Sequence, residues 1–333
     1  MLSKVEASIS LCYSAGIEFT SNTLFYRLKT SKTWDLFLSN VSNSCLSLIK
    51  FFSMNFPLDS SEQLFVVNQQ IRPISEFDLT YLDGAPIIYE VIKIVNSTPL
   101  FFEEHMERLA NSISDSGLPN FSMETVKQSV VRLLTHNPVK LKNIRIALVY
   151  GEKQSNPTLL IYFIHSKYPS MQELENGVPV ITVDAERANP NIKSENAPLR
   201  SMANEHLATE GCYEVLLVNR SGNITEGSRS NVFFVNEEKL VTAPLCGVLG
   251  GVTRKKVMDV CQSLHIPLEE KYVSLDNISN FTSCFITGTS PGVLPISSIN
   301  GTSFNPKHSV MQKIMVGYEK MTELSLQQWS QKR

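Results

Sequence analysis

Most of this chain alternates short apolar runs with turn residues, and only a few stretches carry the wider spacing of a helix. From position 64, LFVVNQQIRPISEF reads as a strand, a polar turn and a second short strand. Asp83-Gly84 then turns the chain into a β-rich run over 87–92. Over 100–116, Phe101, His105, Leu109 and Ile113 recur every four residues, which predicts a helix with one apolar stripe. A second helix is expected over 122–135, followed by strands over 143–150 and 158–165. The stretch 167–176, with Pro169 and several acids and amides, reads as a linker between two lobes. Beyond it the pattern predicts a strand at 178–183, a helix at 199–210, and strands at 213–218 and 232–235. A helix over 253–264, a strand running into the small-polar turn 285–290, and an amphipathic helix over 310–328 complete the chain. That last helix is expected to pack on the larger lobe.

Composition narrows the class. The 333 residues, 42% of them apolar, suffice for one large domain or two moderate ones. A formal net charge of −2 gives no electrostatic footprint for nucleic acid or for an anionic membrane. No apolar run reaches the length of about 18 residues that spans a bilayer. The six cysteines show no metal-ligand spacing and are expected as reduced thiols, and no metal site is predicted. The expectation is a cytoplasmic globular protein. Residues 1–54 stand apart, because the first 53 hold eleven serines, scattered aromatics and no period of 2 or 3.6. They are expected to lie outside the native fold, as non-native upstream sequence or a disordered extension.

The chemistry gathers in the second half. Thr225-Glu226-Gly227-Ser228-Arg229-Ser230-Asn231 joins two strands and by itself reads as a solvated loop. Its company changes that reading. Lys193 lies upstream, and Leu249-Gly250-Gly251-Val252-Thr253 opens a helix whose free backbone N–H groups can cradle an anion. A lysine, a buried carboxylate and a phosphate cradle are what pyridoxal phosphate requires. Only a primary amine can form the Schiff base, and burial lowers its pKa so that the neutral amine can also carry a proton. A lone lysine would ordinarily be a surface residue. Here Lys193 stands 226 − 193 = 33 residues before Glu226, with a helix between them.

These residues resemble the class IV, or fold type IV, pyridoxal-phosphate aminotransferases, a family that includes branched-chain and D-amino-acid aminotransferases and aminodeoxychorismate lyase. The resemblance rests on TEGSRSNVFF, on L-x-T-x-P, on the G-V-T-R helix start, on Ile192-Lys193-Ser194-Glu195-Asn196, and on Glu104-His105-Met106-Glu107-Arg108-Leu109. It implies a two-lobed α/β (α+β) enzyme, with a small α/β lobe over 55–166, the linker 167–176 and a larger, β-barrel-like cofactor lobe over 177–333. It implies that Lys193 forms the internal aldimine and that Glu226 keeps the pyridine nitrogen protonated. Arg108, Val252, Thr253, Gly288 and Thr289 would hold the phosphate, and Ser290 would face the substrate carboxylate. His105 is expected to be a packing residue. Tyr89 either faces substrate, as in the relatives, or is a core aromatic. The family also implies a homodimer, with amino-acid and 2-oxo-acid substrates.

Three positions depart from the family. The tyrosine usual five residues after the lysine is Pro198, and the arginine of an R-G pair is replaced by Tyr150. Arg229 stands where a small residue is usual, and either reaches solvent or an acid such as Glu237, or faces the cleft and a substrate carboxylate. The expected activity is transfer of an amino group between a small amino acid, branched-chain-like or D-configured, and a 2-oxo acid. The alternatives are a lyase that releases pyruvate and a non-catalytic binding protein on the same fold.

Overall fold

The computed structural model of the chain describes residues 58, 59, 61–82, 86–151 and 156–331. The expectations for residues 1–54 and for the Asp83-Gly84 turn lie outside the described residues. The first sheet is built from β1 (Leu64–Val67), β2 (Gln70–Pro73), β3 (Ile87–Val95), β4 (Thr98–Pro99), β5 (Leu141–Val149) and β6 (Thr158–Ile164). It is antiparallel throughout, in the order β2-β1-β6-β5-β3-β4. Its strands alternate, so each face collects its own set of side chains. Ile88, Ile92, Ile144, Ile146 and Leu148 meet α1 (Phe102–Asp115) and α2 (Met123–His136) on one face. Phe65, Tyr89, Ala147, Val149 and Tyr162 pack on the other, beneath Ile74, Phe77 and Tyr81.

Residues 167–176, expected as a linker, contain the short helix α3 (Met171–Asn176). Ser170 and Glu173 form a capping box at its start, each satisfying a backbone N–H of the other. The second sheet follows: β7 (Val178–Asp184), β8 (Glu214–Val218), β9 (Asn223–Gly227), β10 (Asn231–Asn236), β11 (Lys239–Thr242), β12 (Leu268–Glu270), β13 (Val273–Ser274), β14 (Ser283–Gly288), β15 (Gly292–Ile299) and β16 (Thr302–Ser303). Its order is β12-β11-β10-β14-β15-β7-β8-β9-β13, with β16 paired to β15. The pairs β7–β8, β7–β15 and β11–β12 are parallel. α4 (Ala197–Glu210) supplies the crossover between β7 and β8, and α5 (Val252–Ser263) covers Phe233 and Phe285. This mixed architecture matches the two-lobed expectation.

The C-terminal helix α6 (Ser309–Gln331) does more than was expected of it. Val310, Met311 and Ile314 enter the core of the larger lobe, whereas Trp329 is buried in the core of the small one beside Phe102. A helix of 23 residues is about 35 Å long, enough to strap both lobes. Between these contacts Ser325 Oγ accepts from Phe101 N at 2.9 Å. Ion pairs from α1 to α5, Glu104 with Lys256 and Glu107 with Lys255, add to the strap.

Candidate active site

The segment expected to be a loop around Glu226 is strand and tight turn. Thr225 and Glu226 lie within β9 and are buried, and the turn is confined to 228–230. The turn closes on Glu214, at the start of β8. Its carboxylate accepts from Ser228 Oγ at 2.7 Å, from Ser230 Oγ at 2.9 Å and from the Arg229 amide at 3.3 Å. A Cβ at Gly227 would stand 2.0 Å from Ser230 Oγ, so only glycine fits beneath that serine as it is placed. The small polar residues of this motif therefore line a buried acid and do not face water.

Glu226 is itself 3% exposed. Its carboxylate accepts from Arg187 Nε at 2.7 Å and from the Leu249 amide at 3.1 Å. Burial raises its pKa, and Arg187 opposes that rise. Arg187 was not foreseen. It also donates to Ser228 O at 2.8 Å, fixing the acid and the turn together.

Lys193 sits on the segment between β7 and α4, half-buried and drawn against the small lobe. Its carbonyl accepts from the Tyr89 amide at 3.1 Å, and its own amide donates to Ser112 Oγ of α1 at 3.3 Å. The amine stands 5.0 Å from the centre of the Tyr89 ring. Burial lowers its pKa, with Tyr89 opposing and Arg108 assisting, a shift toward the neutral form that proton transfer needs. The same amine is within electrostatic reach of Glu226.

Arg108 projects from α1 to the start of α5. Its Nη1 donates to Gly250 O at 3.2 Å, and its Nε and Nη2 clasp Glu90 at 2.7 and 2.6 Å. The neighbouring Val252 and Thr253 open α5, where Gly251 occupies the cap position. Glycine has no side chain to cap the helix, so its first N–H groups stay available to an anion. A Cβ on Gly251 would stand 2.1 Å from Asn231 Oδ1, which keeps this approach open to glycine alone. The Thr253 side chain hydrogen-bonds with Tyr318 of α6, which ties the helix start to the C-terminal helix. Opposite Asn231 in the β10–β14 ladder, the buried Thr287 hydroxyl has no hydrogen-bond partner among the described residues. An amine, a buried acid, an open helix start, an arginine with spare donors and an orphaned hydroxyl fit pyridoxal phosphate.

The remaining predicted residues divide. Gly288, Thr289 and Ser290 lie at the end of β14, facing the small lobe. Thr289 Oγ1 donates to Val91 O at 3.3 Å, and Ser290 Oγ accepts from Asn143 Nδ2 at 2.7 Å. Tyr89 joins Lys193 as described. Tyr150 does not join this group: it lies on the helix-covered side of the sheet, 7% exposed, and its hydroxyl donates to Pro119 O at 3.1 Å. One residue of parity separates it from the Tyr89 face, where Ala147 and Val149 pack. Arg145 is on that face, stacked 4.2 Å over the Tyr89 ring and paired with Glu195. Arg200, in the first turn of α4, donates to Tyr89 Oη at 3.1 Å. Arg229 is at the exposed tip of its turn and bonds Asn204, a residue other than the suggested Glu237. Pro198 is exposed in the first turn of α4, where its missing N–H costs nothing.

Neither Arg145 nor Arg200 was singled out from the sequence. Strand parity counted from Tyr89 across the paired register would have found the first. Nothing local distinguishes Arg200.

A small antiparallel-sheet lobe joined to a larger mixed-sheet lobe is the architecture of the fold type IV enzymes. The chain belongs to the amino-transferase class IV family, whose model matches residues 87–299. It is 30% identical over 225 residues to D-alanine aminotransferase of Bacillus licheniformis, covering 64% of this chain and 79% of that one. A Rickettsia typhi protein named as a branched-chain-amino-acid aminotransferase is also 30% identical, over 64% of this chain and 78% of its own. Among solved structures, a Thermotoga maritima protein described as a branched-chain amino acid aminotransferase superposes with a TM-score of 0.68 at 27% identity. That match covers 78% of this chain and 96% of that one. Among the described residues no helix is long and apolar enough to cross a membrane, and no cluster of side chains could hold a metal ion.

Proposed function

We propose that this protein is a pyridoxal-phosphate-dependent aminotransferase that moves an amino group between a small amino acid and a 2-oxo acid. The observation that carries the reading is Lys193: a desolvated amine set between the lobes, within reach of the charges of Arg108 at the phosphate cradle and of the buried Glu226. Bound pyridoxal phosphate supplies an electron sink for the pair left when the substrate Cα–H bond breaks. Lys193, as a neutral amine, would take up and carry the proton that leaves the substrate Cα. Glu226, oriented by Arg187 and the Leu249 amide, holds a proton at the pyridine nitrogen. The start of α5, Arg108, Gly288 and Thr289 would hold the phosphate, and Ser290 would face the substrate carboxylate.

At the far side of Lys193, Arg145, Arg200 and Arg229 supply positive charge for substrate carboxylates. D-alanine and branched-chain amino acids are the donors to try first, because the relatives carry those names. A homodimer acting in the cytoplasm completes the proposal, and light scattering tests the first part of it. The functional test is a donor screen in which amino acid shifts the visible absorption of the purified protein and 2-oxo acid restores it. Pyruvate release without an acceptor would replace the transfer reading with the lyase. A protein that binds cofactor but responds to no amino acid would be a non-catalytic relative.

A further inference from the structure

Glu90 is a carboxylate with 0% exposure in the middle of β3, flanked on its own face by Ile88, Ile92 and Ile94. It points to α1, opposite to its neighbour Tyr89, and three donors converge on it. Arg108 gives two, at 2.7 and 2.6 Å, and His105 Nδ1 lies 2.8 Å from the same oxygen that receives Arg108 Nη2. His105 and Arg108 are three residues apart on α1 and so share its face. Burial alone would raise the Glu90 pKa, but Arg108 and then His105 hold it at about 2. Burial lowers the His105 pKa, so the imidazole is neutral and serves as an N–H donor near neutral pH.

A guanidinium has five N–H groups in a planar fork. Glu90 takes two from Arg108 and Gly250 O takes one, which leaves one on Nη1 and one on Nη2, at the end of the fork that reaches Gly250. An arginine held this way gives up little rotamer freedom when an anion arrives. We infer that Glu90 and His105 are positioning residues for the phosphate grip: Glu90 locks the Arg108 fork so that its two spare N–H groups meet the cofactor phosphate, and His105 fixes Glu90. The inference rests on Arg108 as a phosphate ligand. His105, expected as packing, thereby gains a polar task. The signal in the sequence was a single acid inside IIYEVIKIV, since a buried carboxylate requires a partner.

The test compares binding of pyridoxal 5′-phosphate with that of pyridoxal, which lacks the phosphate, by absorbance titration of the full chain. The wild type prefers the phosphorylated form. Glu90→Gln should lose about tenfold or more of that preference, the scale of a hydrogen bond to a charged group, with pyridoxal binding unchanged. His105→Gln should lose part of it. Equal weakening of both compounds, which a merely structural role would produce, overturns the inference. Should Glu90→Gln fail to fold, His105→Gln decides by the same ratio, and an unmoved ratio there counts against it. Arg108→Gln separates the two levels. If it keeps the preference, the phosphate assignment of Arg108 itself is wrong. If it loses the preference while Glu90→Gln keeps it, only the positioning role fails.

Discussion

The two ends of this site are held in opposite ways. Around the proposed cofactor seat each charge found has a nearby answer: Arg108 is clasped by Glu90, Glu226 by Arg187, and Glu90 again by His105. At the substrate end Lys193, Arg145, Arg200 and Arg229 gather around Tyr89, with Glu195 and Glu214 as the acids among them. The first end is a rigid cradle with a few directed donors to spare, suited to one invariant ligand. The second carries surplus positive charge, suited to anions that come and go. Binding geometry is built into the cradle, whereas selectivity depends on a balance of charges that a single substitution can tip.

Three substitutions test that division, taken from the largest expected effect downward. Glu226→Ala should lower kcat by about 10²–10³, the scale for removing one preorganised group from developing charge. A loss of only a fewfold in steady-state kinetics would place Glu226 among the structural acids. Arg200→Gln is expected to act on selectivity. A desolvated charge pair is worth roughly 2–5 kcal/mol when truncated, so kcat/KM for dicarboxylic substrates such as glutamate should fall at least about thirtyfold. Alanine and valine should be much less affected. Arg229→Ser should move selectivity the same way but less, because Arg229 sits at the exposed tip of its turn and already bonds Asn204. Equal losses for mono- and dicarboxylates would remove these arginines from the substrate.

The charge balance also has an optical readout. Burial would raise the Tyr89 pKa, yet Lys193, Arg200 and Arg145 outweigh it and bring the phenol to about 8. Removing a cation removes stabilisation of the phenolate, so Arg200→Gln should move this titration upward. Ultraviolet difference titration of the cofactor-free protein checks it, with Tyr89→Phe to assign the signal. An unmoved midpoint would mean that Arg200 does not act on Tyr89.

The smallest effect is expected at the chain start. Leu58 bridges Ile164, and the Asp59 amide donates to Phe163 O, so the small lobe is anchored from there onward. A chain beginning at Met54 should unfold at the same temperature and bind cofactor equally well in a calorimetric comparison. A lower melting temperature would extend the fold upstream.

Much of this was legible in the sequence, and the exceptions share a cause. The helix over 102–115 and the strands at 87–95 and 178–184 announce themselves because local period and burial agree. Lys193, Glu226, Arg108 and the start of α5 were singled out from short motifs whose residue types the proposed chemistry requires. What was misread depends on partners distant in sequence. The stretch 225–231 was expected as a loop around one buried acid, but it is largely strand, and the second acid it encloses, Glu214 on another strand, was not foreseen. Tyr150 and Arg145 differ by a strand face, which register decides. Arg187 and Arg200 acquire meaning only from the acid and the phenol they reach.

The central claim is that Lys193 is the amine that bonds the cofactor. Borohydride reduction of the holoenzyme followed by peptide mapping tests it directly. The account predicts a stable pyridoxyl label on Lys193, absent from Lys193→Ala together with turnover and the visible band, while the variant still folds. A label on any other lysine, or an undiminished rate in Lys193→Ala, would contradict it.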